Sequence, residues 1–183
     1  MRILTGKYKG QTIKTSRGIR PTQGKVRKAI FDILGKIEGL SFLELFAGSG
    51  AVGIEALSQG AREVVFVEKE QRCIDTIKKN LSLLDCLDYK VVRSDVFKAI
   101  ETLARYKKKF NIIFVDPPYY KDISKKTLQI LSGCDIVTQN GLIIIQHYKK
   151  DNLPDALGDL VLYKQARYAD TVLSFYKKVN SDY

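Results

Sequence analysis

Two short stretches hold the residue types that could do chemistry. FVDPPYY, residues 114–120, closes an apolar run with a carboxylate, two prolines and two tyrosines. Each proline lacks a backbone N–H and fixes its own φ, so Pro117 and Pro118 end a strand ladder. Pro117 also pushes Asp116, the residue before it, towards an extended conformation. The result is a stiff exit that offers backbone carbonyls, a carboxylate and aromatic faces at a strand's C-terminal end. The second stretch is FAGSGAVGIEAL, in which Gly48, Gly50 and Gly53 spell GxGxxG, with Glu68 ending an apolar run 20 residues after Gly48. Glycines so spaced allow a tight turn and close approach of a ligand to the backbone, and a strand-end carboxylate suits ribose hydroxyls.

The glycine motif alone does not name the nucleotide, because nicotinamide-dependent oxidoreductases share it. The acids narrow the choice. Glu44, Glu68 and Asp95 fall at the ends of three successive apolar runs, poor company for a pyrophosphate. They suit a ligand with a cationic amino group or sulfonium, a ribose and an adenine amine. S-adenosylmethionine has all of these.

The elements that must position these residues alternate. Strands are expected at 41–46, 63–68, 89–94, 111–116 and 141–146, and helices at 50–59, 70–84, 95–105 and 122–132. That alternation indicates a parallel sheet covered by helices, a doubly wound α/β domain. LVLYKQARYADTVLSFYKK adds two further strands as an antiparallel hairpin at an edge, making a mostly parallel seven-stranded sheet. Before residue 41, RILTGKYKGQTIKT reads as a small hairpin. A helix follows, with Thr22 as N-cap and Val26, Ala29, Ile30, Ile33, Leu34 and Ile37 as one apolar face; Arg27 and Lys28 fall away from that stripe. The expected division is a basic appendage over residues 1–40 and a catalytic domain over 41–183.

Composition bounds the rest. The chain has 183 residues, 45% hydrophobic and 28% charged, enough for one domain with a sizeable core. No apolar run approaches a membrane span and MRILTGKYKG lacks a secretory h-region, so a cytoplasmic protein is expected. Cys73, Cys86 and Cys134 are scattered and His147 is the only histidine, which argues against a disulfide framework or a Cys/His metal site. Of the net charge of +11, nine charges lie in the first 28 residues, with no acid before Asp32. A basic segment on a nearly neutral body suits a polyanion. A transit peptide would be Ser-rich, and this segment has only Ser16.

ELFAGSGAVGIEAL, FVEKE, SDVF and FVDPPYY, together with GKYKGQTIKT and RPTQGKVRKAIFDIL, resemble the RsmD-type guanine-N2-methyltransferases of bacterial small-subunit (16S) ribosomal RNA. The resemblance runs through nearly the whole chain and implies a Rossmann-like class I methyltransferase fold. It implies that Glu44, Phe46, Ala47, Gly48, Gly50, Glu68 and Lys69 hold the methionine and ribose parts of S-adenosylmethionine. Asp95 and Val96 would recognise its adenine, with Asp116 at the edge of that set. Asp116, Pro117, Pro118 and Tyr119 would hold the target base, and Lys7, Lys9, Arg17, Arg20, Thr22, Lys25 and Arg27 the RNA or assembling subunit. A monomer is the simplest expectation. The family usually has Glu-His where this chain has Gln146-His147, so both stay outside the catalytic set.

An exocyclic amine is a weak nucleophile because its lone pair is delocalised into the ring. A carboxylate and a carbonyl accepting its two N–H bonds favour a pyramidal nitrogen and stabilise the charge that develops on it. Asp116 and the Pro117 carbonyl fit those roles, Tyr119 could stack on an unpaired base, and the chemistry needs no metal. An adenine-N6 methyltransferase would use the same residues and is the nearest alternative; an NAD-dependent oxidoreductase and a non-catalytic RNA-binding protein are the others.

Overall fold

The computed structural model describes residues 1–16, 22–119 and 122–179, so Arg17 and Arg20 of the expected RNA set lie outside the described residues. The chain divides into two compact units, Met1–Asp95 and Val96–Tyr183. The N-terminal segment is bonded into the first of these units.

That unit contains α1 (Gly24–Leu34), β1 (Ser41–Leu45), α2 (Ala51–Ser58), β2 (Glu63–Glu68), α3 (Gln71–Leu81) and β3 (Tyr89–Arg93). β2 is central and pairs in parallel with β1 and β3, in register Leu43↔Val65 and Val65↔Lys90. All of β1 and α2 is buried, which explains their near-continuous apolar sequence. Gln23, not Thr22, is the N-cap of the first helix, which opens at Gly24, and it makes no side-chain cap bond. The helix ends at Leu34 before Gly35, leaving Ile37 buried just beyond it.

The expected N-terminal hairpin is reduced to one antiparallel bridge, Arg2↔Thr12, with Ile3 N–H donating to Gln11 O (2.9 Å) and Gly10 N–H to Ile3 O (2.9 Å). Its stability comes from the rest of the unit. Ile3, Tyr8 and Ile13 are buried, Lys7 N–H donates to Ser58 O (2.7 Å), and the Tyr8 hydroxyl donates to Asp85 O (2.6 Å). The contact demands glycine at position 6: a Cβ there would lie 1.8 Å from Ser58 O, and the backbone φ is +77°.

The second unit contains α4 (Val96–Arg105), β4 (Phe110–Val115), α5 (Ile123–Ser132), β5 (Val137–Tyr148), β6 (Ala156–Leu157), β7 (Leu160–Tyr168) and β8 (Thr171–Lys178). β4 and β5 pair in parallel across α5, and β8 pairs antiparallel with both β5 and β7. The last strand of the chain is thus an interior one, with its first six residues buried, and the short β6 is the strand beyond the seven expected. β5 begins four residues earlier than its apolar run, at Val137, and a register shift against β4 absorbs the polar stretch after it. Among the described residues no helix is long and apolar enough to cross a membrane.

Candidate active site

In the first unit the chain leaves β1 through a turn with Phe46, Gly48 and Gly50 all at positive φ (58°, 54° and 72°). A phenylalanine there costs about 1–3 kcal/mol, a strain that concentrates at binding sites. The turn is clasped from β2. Ala47 N–H donates to Val67 O (3.1 Å), and Gly48 N–H donates to Glu68 Oε2 (2.8 Å). The other oxygen, Glu68 Oε1, accepts from Lys69 N–H (2.8 Å) and Glu70 N–H (2.9 Å). A carboxylate offers about four acceptor positions, so Glu68 retains about one for a ligand hydroxyl. The Lys69 side chain is exposed and its backbone serves this clasp.

Glu44 is the penultimate residue of β1. It is 3% exposed, and its carboxylate accepts from Gly53 N–H (2.9 Å) and Val52 N–H (3.3 Å) in the first turn of α2. A buried carboxylate must be paired or hydrogen-bonded, and a helix N-terminus supplies both donors and a favourable dipole. Gly53 permits this approach: a Cβ would meet Glu44 Oε2 at 2.7 Å and the Phe66 ring at 2.4 Å. The third glycine of GxGxxG thus makes room for a carboxylate. Asp95 is exposed two residues past β3, and Ser94 N–H donates to Glu68 O (3.1 Å), holding the two strand ends level. Val96 is buried as the first residue of α4 in the second unit.

The basic set is divided by burial. Lys7, Lys9 and Lys25 are exposed, and Thr22 lines a cavity of about 460 Å³ with Arg2 and Gln23. Arg27 corrects the expectation that it faces outward, because it is 2% exposed. Its Nε lies 3.2 Å from Glu55 Oε2 in a buried ion pair, and its other nitrogens donate to Met1 Sδ and Arg2 O. Burial pulls the Arg27 pKa down, and Glu55 opposes that shift. Glu55, which no motif singled out, also accepts from Leu4 N–H (3.0 Å), Thr5 N–H (2.7 Å) and the Thr5 hydroxyl (2.8 Å). Asn80, fully buried on α3, accepts from Lys14 N–H (2.7 Å) and donates to Ser49 O in the glycine turn (3.3 Å).

In the second unit Asp116 leaves β4 half-buried, Pro117 is buried, Pro118 exposed and Tyr119 half-buried. The Tyr119 hydroxyl lies 2.8 Å from Thr171 Oγ1, and its ring centroid is 6.0 Å from that of Tyr148. Thr171 and Tyr148 escaped the sequence reading because neither belongs to a motif; strand pairing alone places them here. The register Val115↔Ile145 sets Asp116 level with Gln146, whose side-chain amide oxygen is enclosed with no hydrogen-bond partner among the described residues. His147 lies on the opposite face of β5, since side chains alternate along a strand. It is buried, with Nε2 2.8 Å from Ser174 Oγ and Nδ1 3.0 Å from Tyr148 O. Burial pushes its pKa down, and both contacts suit a structural histidine.

Residues 1–177 match the family described as conserved hypothetical protein 95. The chain is 36% identical over 182 residues to the proposed rRNA methyltransferase YlbH of Bacillus subtilis, covering 97% of this chain and 99% of that one. It is 29% identical over 181 residues to ribosomal RNA small subunit methyltransferase D of Escherichia coli, covering 97% and 90%. The solved structure of the proposed methyltransferase yhhF from Escherichia coli is 28% identical, with a TM-score of 0.87 over 98% of each chain. The mostly parallel α/β architecture is therefore that of a methyltransferase fold. A family match over nearly every residue, joined to close relatives of the same length, places this chain in the conserved hypothetical protein 95 family, the RsmD family.

Proposed function

We propose that this protein transfers a methyl group from S-adenosylmethionine to the exocyclic N2 amine of a guanine in small-subunit ribosomal RNA. The observation that carries the choice of cofactor is the Glu44 carboxylate on the first-turn amides of α2. Dinucleotide-binding proteins leave a helix N-terminus free for pyrophosphate. Here a carboxylate already holds that place, which disfavours NAD and suits a cofactor without phosphates. Glu68, one acceptor position in hand beside the Phe46–Gly50 turn, fits a ribose hydroxyl, and exposed Asp95 fits an adenine amine. Relatives named as ribosomal RNA small subunit methyltransferase D support the RNA substrate.

S-adenosylmethionine supplies the electrophilic methyl group. Asp116 accepts one N–H of the target amine and the Pro117 carbonyl the other, which concentrates the nitrogen lone pair and offsets the positive charge growing there. The proline pair keeps both acceptors rigid, and Tyr119 presents a ring face to the base. Lys7, Lys9, Arg17, Arg20 and Lys25 meet RNA phosphates. Calorimetry with S-adenosylmethionine and with NAD tests the cofactor, and binding of NAD alone would overturn this reading. Mass spectrometry of ribosomal RNA from cells with and without the gene tests the product: N2-methylguanine is expected, and a methylated adenine instead would refute the guanine assignment.

A further inference from the structure

Tyr119 is held at three points, two of which come from strands remote in sequence. Its backbone follows Pro117 and Pro118, whose fixed φ stiffens the exit from β4. Its hydroxyl lies 2.8 Å from the Thr171 hydroxyl. Its ring meets that of Tyr148 at 6.0 Å between centroids and an interplanar angle of 41°, within the range in which aromatic pairs attract. Thr171 and Tyr148 are directly opposed in the antiparallel β5–β8 ladder, so their side chains share a face and stand about 5 Å apart at Cβ. Thr171 itself is buried, and the residue before it is tied to the end of β5: Lys149 N–H donates to Asp170 O (2.9 Å), and the Lys149 ammonium pairs with Asp170 at 2.7 Å.

We infer that Thr171 is a positioning residue that, with Tyr148 as buttress, presets the Tyr119 ring for the target base. The inference rests on the proposed function, in which Tyr119 stacks on that base. A phenol needs only its ring face for stacking, so a bonded hydroxyl on the far end of the ring has another task. It fixes the two side-chain torsions that an unheld tyrosine would have to order when RNA arrives. Such ordering weakens binding by about 2- to 10-fold per immobilised side chain. Because the preset ring serves the ground state and the transition state alike, its loss raises KM for RNA and leaves kcat nearly unaltered.

The experiment is steady-state transfer of labelled methyl groups to small-subunit ribosomal RNA from cells lacking the gene. Thr171→Val keeps the shape and removes the hydroxyl; it should raise KM for RNA about 2- to 10-fold, leave S-adenosylmethionine affinity unaltered and lower the melting temperature by no more than about 2–4 °C. Thr171→Ser should restore the wild-type KM. Tyr119→Phe should match Thr171→Val, and the double variant should be no worse than either, since both remove one bond. Tyr148→Leu should raise KM in the same way. An unaltered KM in Thr171→Val, or effects of Thr171→Val and Tyr119→Phe that multiply, would overturn the inference while the unaltered protein still methylates RNA. Failure of the unaltered protein to methylate would overturn the proposed function and this inference together.

Discussion

Glu68→Gln is a more informative perturbation than Glu68→Ala, because the structure assigns both carboxylate oxygens before any ligand is considered. Oε2 accepts from Gly48 N–H, and Oε1 accepts from Lys69 and Glu70 N–H. An amide keeps one acceptor oxygen and turns an NH2 group towards the other donors. If the oxygen stays with Lys69 and Glu70, the Gly48 amide faces a donor and loses its partner. Leaving a fully buried donor unmatched costs about 1–3 kcal/mol; Gly48 is half-buried, which puts it at the lower end of that range, and the turn it closes already carries Phe46 at a φ of 58°. The position left for a ribose hydroxyl is lost as well. S-adenosylmethionine affinity should therefore fall about 10- to 100-fold, at about 1.4 kcal/mol per factor of ten. Isothermal titration calorimetry on the folded variant is the assay, with circular dichroism as the control. Glu68→Gln binding within about 2-fold of wild type, below one interaction's worth, would refute the clasp as a determinant of cofactor binding.

Asp116→Ala should lower single-turnover methyl transfer about 100-fold or more at saturating cofactor, with S-adenosylmethionine binding largely kept; near-normal turnover would reduce Asp116 to a strand-end carboxylate. Arg27→Met strands the buried Glu55 carboxylate and should destabilise the fold by about 3–5 kcal/mol in urea unfolding, whereas Arg27→Met with Glu55→Gln should recover part of that loss. Loss of each phosphate contact, tested with Lys9→Gln and Lys25→Gln, should flatten the log–log salt dependence of single-strand RNA binding by about 0.7. His147 has its pKa depressed by burial, so the unfolded chain takes up a proton before the folded one does. Stability should accordingly be lost as pH falls below the unfolded value of about 6.5. His147→Asn should flatten this dependence between pH 7.5 and 5.5, and an identical pH profile in the variant would dismiss the histidine as its source.

The alternation of strands and helices was legible because buried parallel strands are near-continuous apolar runs; Glu63–Glu68 matches its expected limits to the residue. The glycine turn and the Asp-Pro-Pro-Tyr exit were legible because glycine and proline act locally. What escaped was decided by distant partners. Arg27 sits off the apolar stripe of its helix, yet Glu55 on another helix draws it into the interior. Glu44 has the spacing of a ligand contact, and its carboxylate also accepts from amides of the helix it precedes. Thr171 and Tyr148 join Tyr119 only through the pairing of β5 with β8. The reading of β5 also missed its polar beginning, because Thr138, Gln139 and Asn140 look like a loop until the strand is seen to start before them.

The bonds that seat the N-terminal segment also set the order in which the chain can be assembled. Leu4 and Thr5 wait for Glu55, Lys14 for Asn80, and Tyr8 for Asp85. A chain emerging amino-end first from the ribosome therefore exposes its most basic residues before any of their partners has been synthesised. Contacts so distant in sequence close late, since the loop entropy must be met before they form. During that interval the segment is a free polycation, and docking onto α2 and α3 fixes its backbone while Lys7 and Lys9 stay exposed. Truncation of the nascent chain before residue 55 would leave this segment with none of those partners.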